Sequence, residues 1–395
     1  MVNALILKYL EGNTSMTYKL TEEQELFRLS LRRFAEEKVA PHVSKMDKDD
    51  QFPRDLYDDL AQMGIPALFY PAEYGGSDAD LLTCCLASEE LCRVSTAIGA
   101  FMGSIHSLFS SCFKLSATKE QREKYLPDVI SGKKICAFGL TEPDSGSDIA
   151  SMRSNAVLDG DEYIINGVKN FNSGIDFADM TLVFVKTDPT AGIKGISSLL
   201  VEKGRPGFTY NVTGRMLGFR GIHHCESVFE DCSVPVENLI GREGEGFKTV
   251  LKVLDEGRTL AGASGVGTAQ GALDYAIRYA KERCQFGKPI AQFQAINHKL
   301  ADMATMTEAA RQLVYRAATI VCEHTMESMK LATMAKYFAT DVAMKVTSSA
   351  VDILGGYGYS EEFPVERMMR DAKGLQIYEG TNQIQRNAVA KVLLS

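Results

Sequence analysis

No apolar run in this chain approaches the roughly 20 residues that a bilayer-spanning helix needs, so a membrane span is not expected. Nor is there a basic surplus. Acidic residues outnumber Lys and Arg by 51 to 43, for a formal net charge of -8. Phosphate neutralisation needs a basic face, so nucleic acid is not an expected partner. There is no HExxH and no Cys/His cluster, and the adjacent pair His223-His224, read as part of a strand, points to opposite faces. A metal centre is therefore not expected. A GxSxG nucleophile elbow is missing too. The near-glycine fingerprint Gly265-x-Gly267-x3-Gly271 has the wrong spacing for a dinucleotide site and no strand before it, which leaves close helix packing as its explanation.

The nine cysteines are scattered without CxxC pairs, as suits reduced thiols and a cytoplasmic protein without disulfides. The opening "MVNALILKYLEGNTS" lacks the features of a signal or transit peptide, and Met16 follows it directly. Residues 1–16 are read as an N-terminal extension.

At 395 residues the chain is too long for one core, and its texture divides it in three. Over 17–134 the apolar period is helical. Thr21 and Gln24 form a capping box, and Phe27, Leu31 and Phe34 share a face; further helices fall near 54–63, 80–93, 96–115 and 119–130. Over 135–242 short β-rich runs appear: "ICAFGL", "EYIING", "TLVFVKTD", "ISSLLVEK" and "CESVFEDC". Over 243–395 the helical period returns, with Ile296, Leu300, Met303, Ala310, Leu313, Ala317 and Ile320 keeping one stripe. Such helices make a bundle.

Four stretches could carry chemistry. "GLTEPDSGSDIAS" (139–151) offers backbone N–H groups and the hydroxyls of Thr141, Ser145 and Ser147, although by composition alone it reads first as a solvated turn. "GGYGY" after Leu354 allows close approach of a phosphate, with Arg367 and Arg370 near, or simply ends a helix. In "ERCQFGKPI", Arg283 could hold a pyrophosphate and Phe286 could stack on a ring. Finally, "QIYEGTNQIQR" sets one carboxylate, Glu379, beside Gly380; in an arbitrary protein that Glu would be a cap or an ion-pair partner.

Taken together these stretches resemble the acyl-CoA dehydrogenase family. "GLTEPDSGSD" is similar to its first signature, and "GGYGYSEEFPVERMMRD" with "QIYEGTNQIQRN" to its second signature and catalytic loop. "YPAEYGGS", "VPVENLIGREGEGF", "LDEGR" and "YAKERCQFGKPIAQFQAI" match as well, so the likeness runs from about Thr17 to the end. The resemblance implies a mainly α fold with a central β-barrel-like domain, between an N-terminal helical domain and a C-terminal four-helix bundle. It implies FAD, an acyl-CoA substrate, a homotetramer (a dimer of dimers) and an electron-transfer flavoprotein as acceptor. Glu379 would remove the α-proton while the β-hydride passes to flavin N5. Phe138, Leu140, Thr141, Gly146 and Ser147 would lie along the flavin, with Ser147 also near the acyl-CoA. Arg283, Phe286, Gln294, Asp352, Gly355 and Gly356 match positions that reach the FAD of a neighbouring subunit. Thr381 and Gln383 match cofactor contacts beside the base, Asp255 and Arg258 the CoA path, and Gly380 lets the chain pass close to the substrate.

The departures from the family pattern are informative. The usual tryptophan of the flavin-flanking segment is absent; "KNFNSG" stands there, with Phe171 in the aromatic role and Ser173 in place of a threonine. Asp352 replaces a glutamine. Some relatives carry the base one residue before the arginine of "LDEGR", which is Gly257 in this chain; that favours Glu379, with Glu256 a neighbour to examine. The helix with Ser95, Thr96, Ile98, Gly99, Phe101 and Met102 would floor the acyl pocket. Glutaryl-specific relatives place an arginine at Gly99. Alternatives to dehydrogenation are an oxidase, an enoyl-CoA reductase, or a non-catalytic acyl-CoA-binding protein on the same fold.

Overall fold

The computed structural model describes residues 19–394, so the extension read at 1–16 lies outside the described residues. Helix α1 (Glu22–Phe34) starts on the Thr21–Gln24 capping box, with Thr21 Oγ1 accepting the Gln24 N–H at 3.1 Å and Gln24 Oε1 accepting the Thr21 N–H at 3.1 Å. It runs through a π-helical turn, Ala35–Val39, into α2 (Ala40–Asp49). Pro41 has no N–H to give the preceding turn, and the ladder widens just before it. Helices α3 (Arg54–Gln62), α4 (Leu81–Val94), α5 (Thr96–Ser116) and α6 (Lys119–Ile130) complete the first helical region.

Seven strands follow: β1 (Cys136–Gly139), β2 (Asn155–Asp159), β3 (Glu162–Ser173), β4 (Met180–Lys186), β5 (Ile196–Glu202), β6 (Phe208–Val212) and β7 (His224–Pro235). They form one curled sheet in the order β1-β4-β2-β3-β7-β6, with β5 pairing β4. The β1–β4 pair is parallel, while β3–β7 is antiparallel with breaks in register at Ile165/Gly167 and Lys169/Asn172. Such irregularities bend a strand and re-aim its side chains. The second one sets Phe171 at φ 57°, half exposed, while Asn172 turns inward to donate to Ser227 Oγ at 2.9 Å. The sheet encloses a small apolar core of its own, built on Tyr163, Ile165, Val185, Leu199 and Val234.

The last region holds α7 (Gly246–Glu282), α8 (Gln294–Ile320), α9 (Met326–Leu354), α10 (Pro364–Leu375) and α11 (Asn382–Leu394). Met303, Ala310, Ala317 and Ile320 of the α8 stripe are buried, as their period demands. The glycines of α7 mark backbone contacts: a Cβ at Gly267 would meet the Glu89 carbonyl oxygen at 2.2 Å, and one at Gly271 the Arg93 carbonyl oxygen at 2.1 Å. Gly267 and Gly271 thus serve close packing of α7 on α4, while Gly265 meets the Ala339 backbone of α9. Small hydroxyls bond across the same contact, Ser88 to Ser264 at 2.9 Å and, from α5, Thr96 to Thr268 at 2.8 Å.

Candidate active site

Helix α10 ends at Leu375, and the chain from Gln376 to Thr381 folds into a tight loop that α11 closes. Tyr378 N–H donates to the Gly374 carbonyl at 3.2 Å and Asn382 N–H to the Gln376 carbonyl at 3.0 Å. Between them Glu379 and Gly380 both take left-handed backbone, at φ 56° and 88°. Glycine does so freely, whereas a glutamate pays about 1 kcal/mol. Strain of this kind persists where the surroundings over-determine the conformation. Gln385 Nε2 supplies part of that hold, donating to the carbonyls of Glu379 (2.8 Å) and Gly380 (3.1 Å). Lys336 of α9 supplies more: its Nζ donates to the Gly380 carbonyl at 2.8 Å and to Asn382 Oδ1 at 2.9 Å. Among the described residues the Glu379 N–H donates to nothing.

The side chain of Glu379 lies against α7 at Gly257. A Cβ on Gly257 would stand 2.9 Å from Glu379 Oε1 and 3.0 Å from Oε2. Glu379 as a whole keeps some exposed surface, yet its Oε2 is out of reach of solvent and has no hydrogen-bond partner. Burial raises the carboxyl pKa to about 7, against the opposing pull of Arg258 and Lys336. Lys336 is pushed down to about 7 by the same desolvation, countered by the charges of Glu379 and Asp341. Arg258 donates from Nη1 to Asp255 Oδ1 at 2.9 Å and keeps a buried Nε without partner. Burial also raises the Asp255 carboxyl, which Arg258 pulls back. Glu256 is turned onto α5, where its Oε2 accepts from the Ser111 hydroxyl. Asp255, Arg258, Glu379 and Gly380 thus belong to one site. Thr381 is at its edge, its Oγ1 accepting the Ile384 N–H at 3.3 Å, and Gln383 is exposed on α11.

A second group lies at the end of β1. Phe138 is half-buried against Phe184, ring centroids 5.2 Å apart, and Leu140 and Thr141 continue the ledge. The Thr141 carbonyl accepts the Asn170 N–H at 2.7 Å, which sets the bulge carrying Phe171 beside this turn. Ser173 pairs with His224 in the sheet, and Gly146 and Ser147 are exposed, with open space around Gly146. The turn is braced from inside by Lys169. Its Nζ donates to Glu142 Oε1 at 2.6 Å and to the Leu140 carbonyl at 3.3 Å, and Glu142 also accepts the N–H groups of Arg153 (2.6 Å) and Ser154 (3.0 Å). Burial disfavours the Glu142 carboxylate, but Lys169 and these donors outweigh it and lower its pKa.

A third group gathers elsewhere. Arg283 stacks over the Tyr357 ring at 5.5 Å, beside Gly355 and Gly356, which have open space where a Cβ would go. Phe286 caps a two-stranded hairpin at φ 52°, 92% exposed, while Gln294 and Asp352 are exposed, the latter paired with Lys299 at 3.0 Å. No hydrogen bond, ion pair or ring contact among the described residues joins this group to Glu379. Arg370, expected near these glycines, points away from them: it binds Asp47 of α2 (2.8 Å) and Glu366 (2.7 Å). His223 is tied to Asp176 at 2.7 Å and to the Asp50 carbonyl, a structural clamp between regions. Gly99 faces α4, where a Cβ would meet Cys92 Sγ at 2.4 Å.

Three family models cover the described chain: the N-terminal (21–133), middle (137–232) and C-terminal (244–394) domains of acyl-CoA dehydrogenase. The chain belongs to the acyl-CoA dehydrogenase family. It is 43% identical over 378 residues to the short-chain specific acyl-CoA dehydrogenase of Clostridium acetobutylicum, covering 95% of this chain and 99% of that one. Among solved structures, the butyryl-CoA dehydrogenase of Megasphaera elsdenii superposes with a TM-score of 0.93 at 41% identity, over 96% of this chain and all of that one. A chain in the structure described as the electron transferring flavoprotein of Acidaminococcus fermentans, concerned with flavin-based electron bifurcation, gives the same TM-score at 44% identity, again over 96% and 100%. The protein is a flavin-dependent acyl-CoA dehydrogenase. The half-exposed Phe171 ring and the ledge of Phe138, Leu140 and Thr141 fit a flat ring system, because Thr141 has a hydroxyl and an N–H that no described residue engages. Lys169, Lys336, Asn382 and Gln385 were not singled out from the sequence. The readable signal for Lys336 was its place on the apolar stripe Ala332, Ala335, Ala339, Ala343 of α9.

Proposed function

We propose that the protein converts a short acyl-CoA to its enoyl-CoA, with FAD as the flavin and Glu379 as the base that removes the α-proton. The observation that carries this reading is the desolvated, unpartnered Glu379 Oε2 lying against Gly257. A carboxylate whose pKa is about 7 is poised between its forms near neutral pH, which favours proton transfer. The unengaged Glu379 N–H serves as a donor to the thioester carbonyl, where negative charge builds as the α-proton leaves. Asp255 and Arg258 line the CoA path, and Gly380 keeps the loop low enough for the thioester to pass. When bound, FAD supplies the two-electron acceptor for the β-hydride. Phe138, Leu140, Thr141, Gly146, Ser147, Phe171 and Ser173 hold its ring, with Thr381 and Gln383 beside the base. Arg283, Phe286, Gln294, Asp352, Gly355 and Gly356 serve a neighbouring subunit in a homotetramer; the nearly full exposure of Phe286 in a single chain supports this. Three domains, 17–134, 135–242 and 243–395, enclose the site.

The short acyl chain rests on the short-chain and butyryl-CoA relatives, and an electron-transfer flavoprotein as acceptor on the likeness to the Acidaminococcus chain. The experiment is an anaerobic screen of the purified holoenzyme against straight, branched, aromatic and dicarboxylic acyl-CoAs. Bleaching of the flavin band by butyryl-CoA is the expected result. Bleaching by none of them would overturn the reading, and peroxide formed in air at the turnover rate would replace the acceptor by oxygen.

A further inference from the structure

Lys336 lies in the middle of α9 with no exposed surface, on the side that meets the catalytic loop. Its three ammonium hydrogens find two acceptors, the Gly380 carbonyl (2.8 Å) and Asn382 Oδ1 (2.9 Å), and neither carries a charge. Burying an ammonium without a directly bonded carboxylate is expensive. A fold that needed only a donor at this point could use a neutral amide. The positive charge must therefore act at a distance, and two anions are in reach: the Glu379 carboxylate, one residue before the carbonyl that Nζ holds, and, more weakly, Asp341.

We infer that Lys336 is a positioning residue for the reaction: it clamps the main chain at Gly380 so that Glu379 keeps its left-handed turn, and its ammonium favours the ionised, proton-accepting form of Glu379. This inference rests on Glu379 being the base. The charged groups facing Glu379 are Arg258 from α7 and Lys336 from α9. Asp255 offsets Arg258 by a direct ion pair at 2.9 Å. Asp341 opposes Lys336 more weakly, since its carboxylate is occupied by Gln376, Asn382 and Arg386. Lys336 is the cation of the two whose charge no bonded carboxylate shares. Removing it raises the Glu379 midpoint, and below that midpoint each unit of rise leaves a tenfold smaller ionised fraction.

The test compares Lys336→Met with Lys336→Gln, which keeps a hydrogen-bond donor and loses the charge. Two readouts are taken on holoenzyme with full flavin content: the rate of anaerobic bleaching by butyryl-CoA between pH 6 and 10, and the titration of the Glu379 carboxyl by infrared difference spectroscopy, assigned by subtracting Glu379→Gln. Both variants should move both midpoints up by about one unit or more, with roughly tenfold slower bleaching near pH 6.5 and most of the rate regained by pH 9. Lys336→Gln should be the faster of the two at high pH, because it retains the clamp. Slower bleaching at every pH with unmoved midpoints would reduce Lys336 to a structural brace and overturn the inference. So would loss of flavin from both variants. If Glu379→Gln bleaches as fast as the unsubstituted enzyme, the reading of Glu379 as the base fails instead, which separates the two.

Discussion

Among the described residues two lysines have no exposed surface, and each sits under a loop of the proposed site. Lys169 braces the turn after β1 through an ion pair with Glu142 at 2.6 Å, and that carboxylate is itself saturated by two backbone N–H groups. Lys336 braces the catalytic loop through a carbonyl and an amide oxygen, both neutral. Desolvation lowers both amines, to about 8 for Lys169, where Glu142 pulls back, and to about 7 for Lys336, where Glu379 and Asp341 do. The difference shows what each charge is for. At Lys169 the charge is neutralised on the spot, so it stabilises a shape. At Lys336 the charge is left without a bonded counterion, next to the Glu379 carboxylate that we propose as the base.

The largest expected effect breaks the second arrangement outright. Glu379→Gln keeps the size of the side chain and removes the proposed base, so bleaching by butyryl-CoA should slow by about 10³-fold or more while the protein stays yellow. Next comes the brace at Lys169. Lys169→Met leaves the Glu142 carboxylate buried without its ammonium, which should cost about 3–5 kcal/mol in denaturant unfolding and weaken flavin retention. The double change Lys169→Met with Glu142→Gln should recover part of that loss, because no charge is then stranded. Gly257→Ala is a finer probe of the carboxylate's seat. The new methyl would press on Glu379 Oε1, and a displacement on the order of 1 Å should lower the bleaching rate by about 10²-fold with flavin content unchanged. The mildest expectation concerns pH. Because burial raises the Glu379 carboxyl to about 7 and its ionised form is the proposed base, the rate on the free enzyme should rise with pH through about 7 and level off above it.

Much of this was legible in the sequence for physical reasons. The helices of both outer regions show their period, and the Thr21–Gln24 box forms as its spacing requires. Glu379, Asp255, Arg258 and Gly380, each singled out by its motif, lie together in the fold, and Gly257 gains a second reason beyond its sequence position, since any side chain there would occupy the space of the Glu379 carboxylate. What escaped notice were elements whose pattern is weak. Strands β2 and β6 are short and largely exposed, so they show little apolar alternation. Helix α2 opens on Ala40-Pro41, which reads as a break, although proline at a first turn is tolerated. The two lysines escaped because a buried amine reads like any solvated Lys until its partners are seen. Those partners lie 27 and 44 residues away along the chain.

The account turns on Glu379 removing the proton from carbon two, and deuterium uptake isolates that step. Enzyme held fully reduced by dithionite cannot oxidise butyryl-CoA, yet its base can still exchange the α-hydrogens with D2O, which mass spectrometry counts. Rapid uptake by the unsubstituted protein and its loss in Glu379→Gln is the predicted result. Equal uptake by both would place the base on another residue and contradict the account.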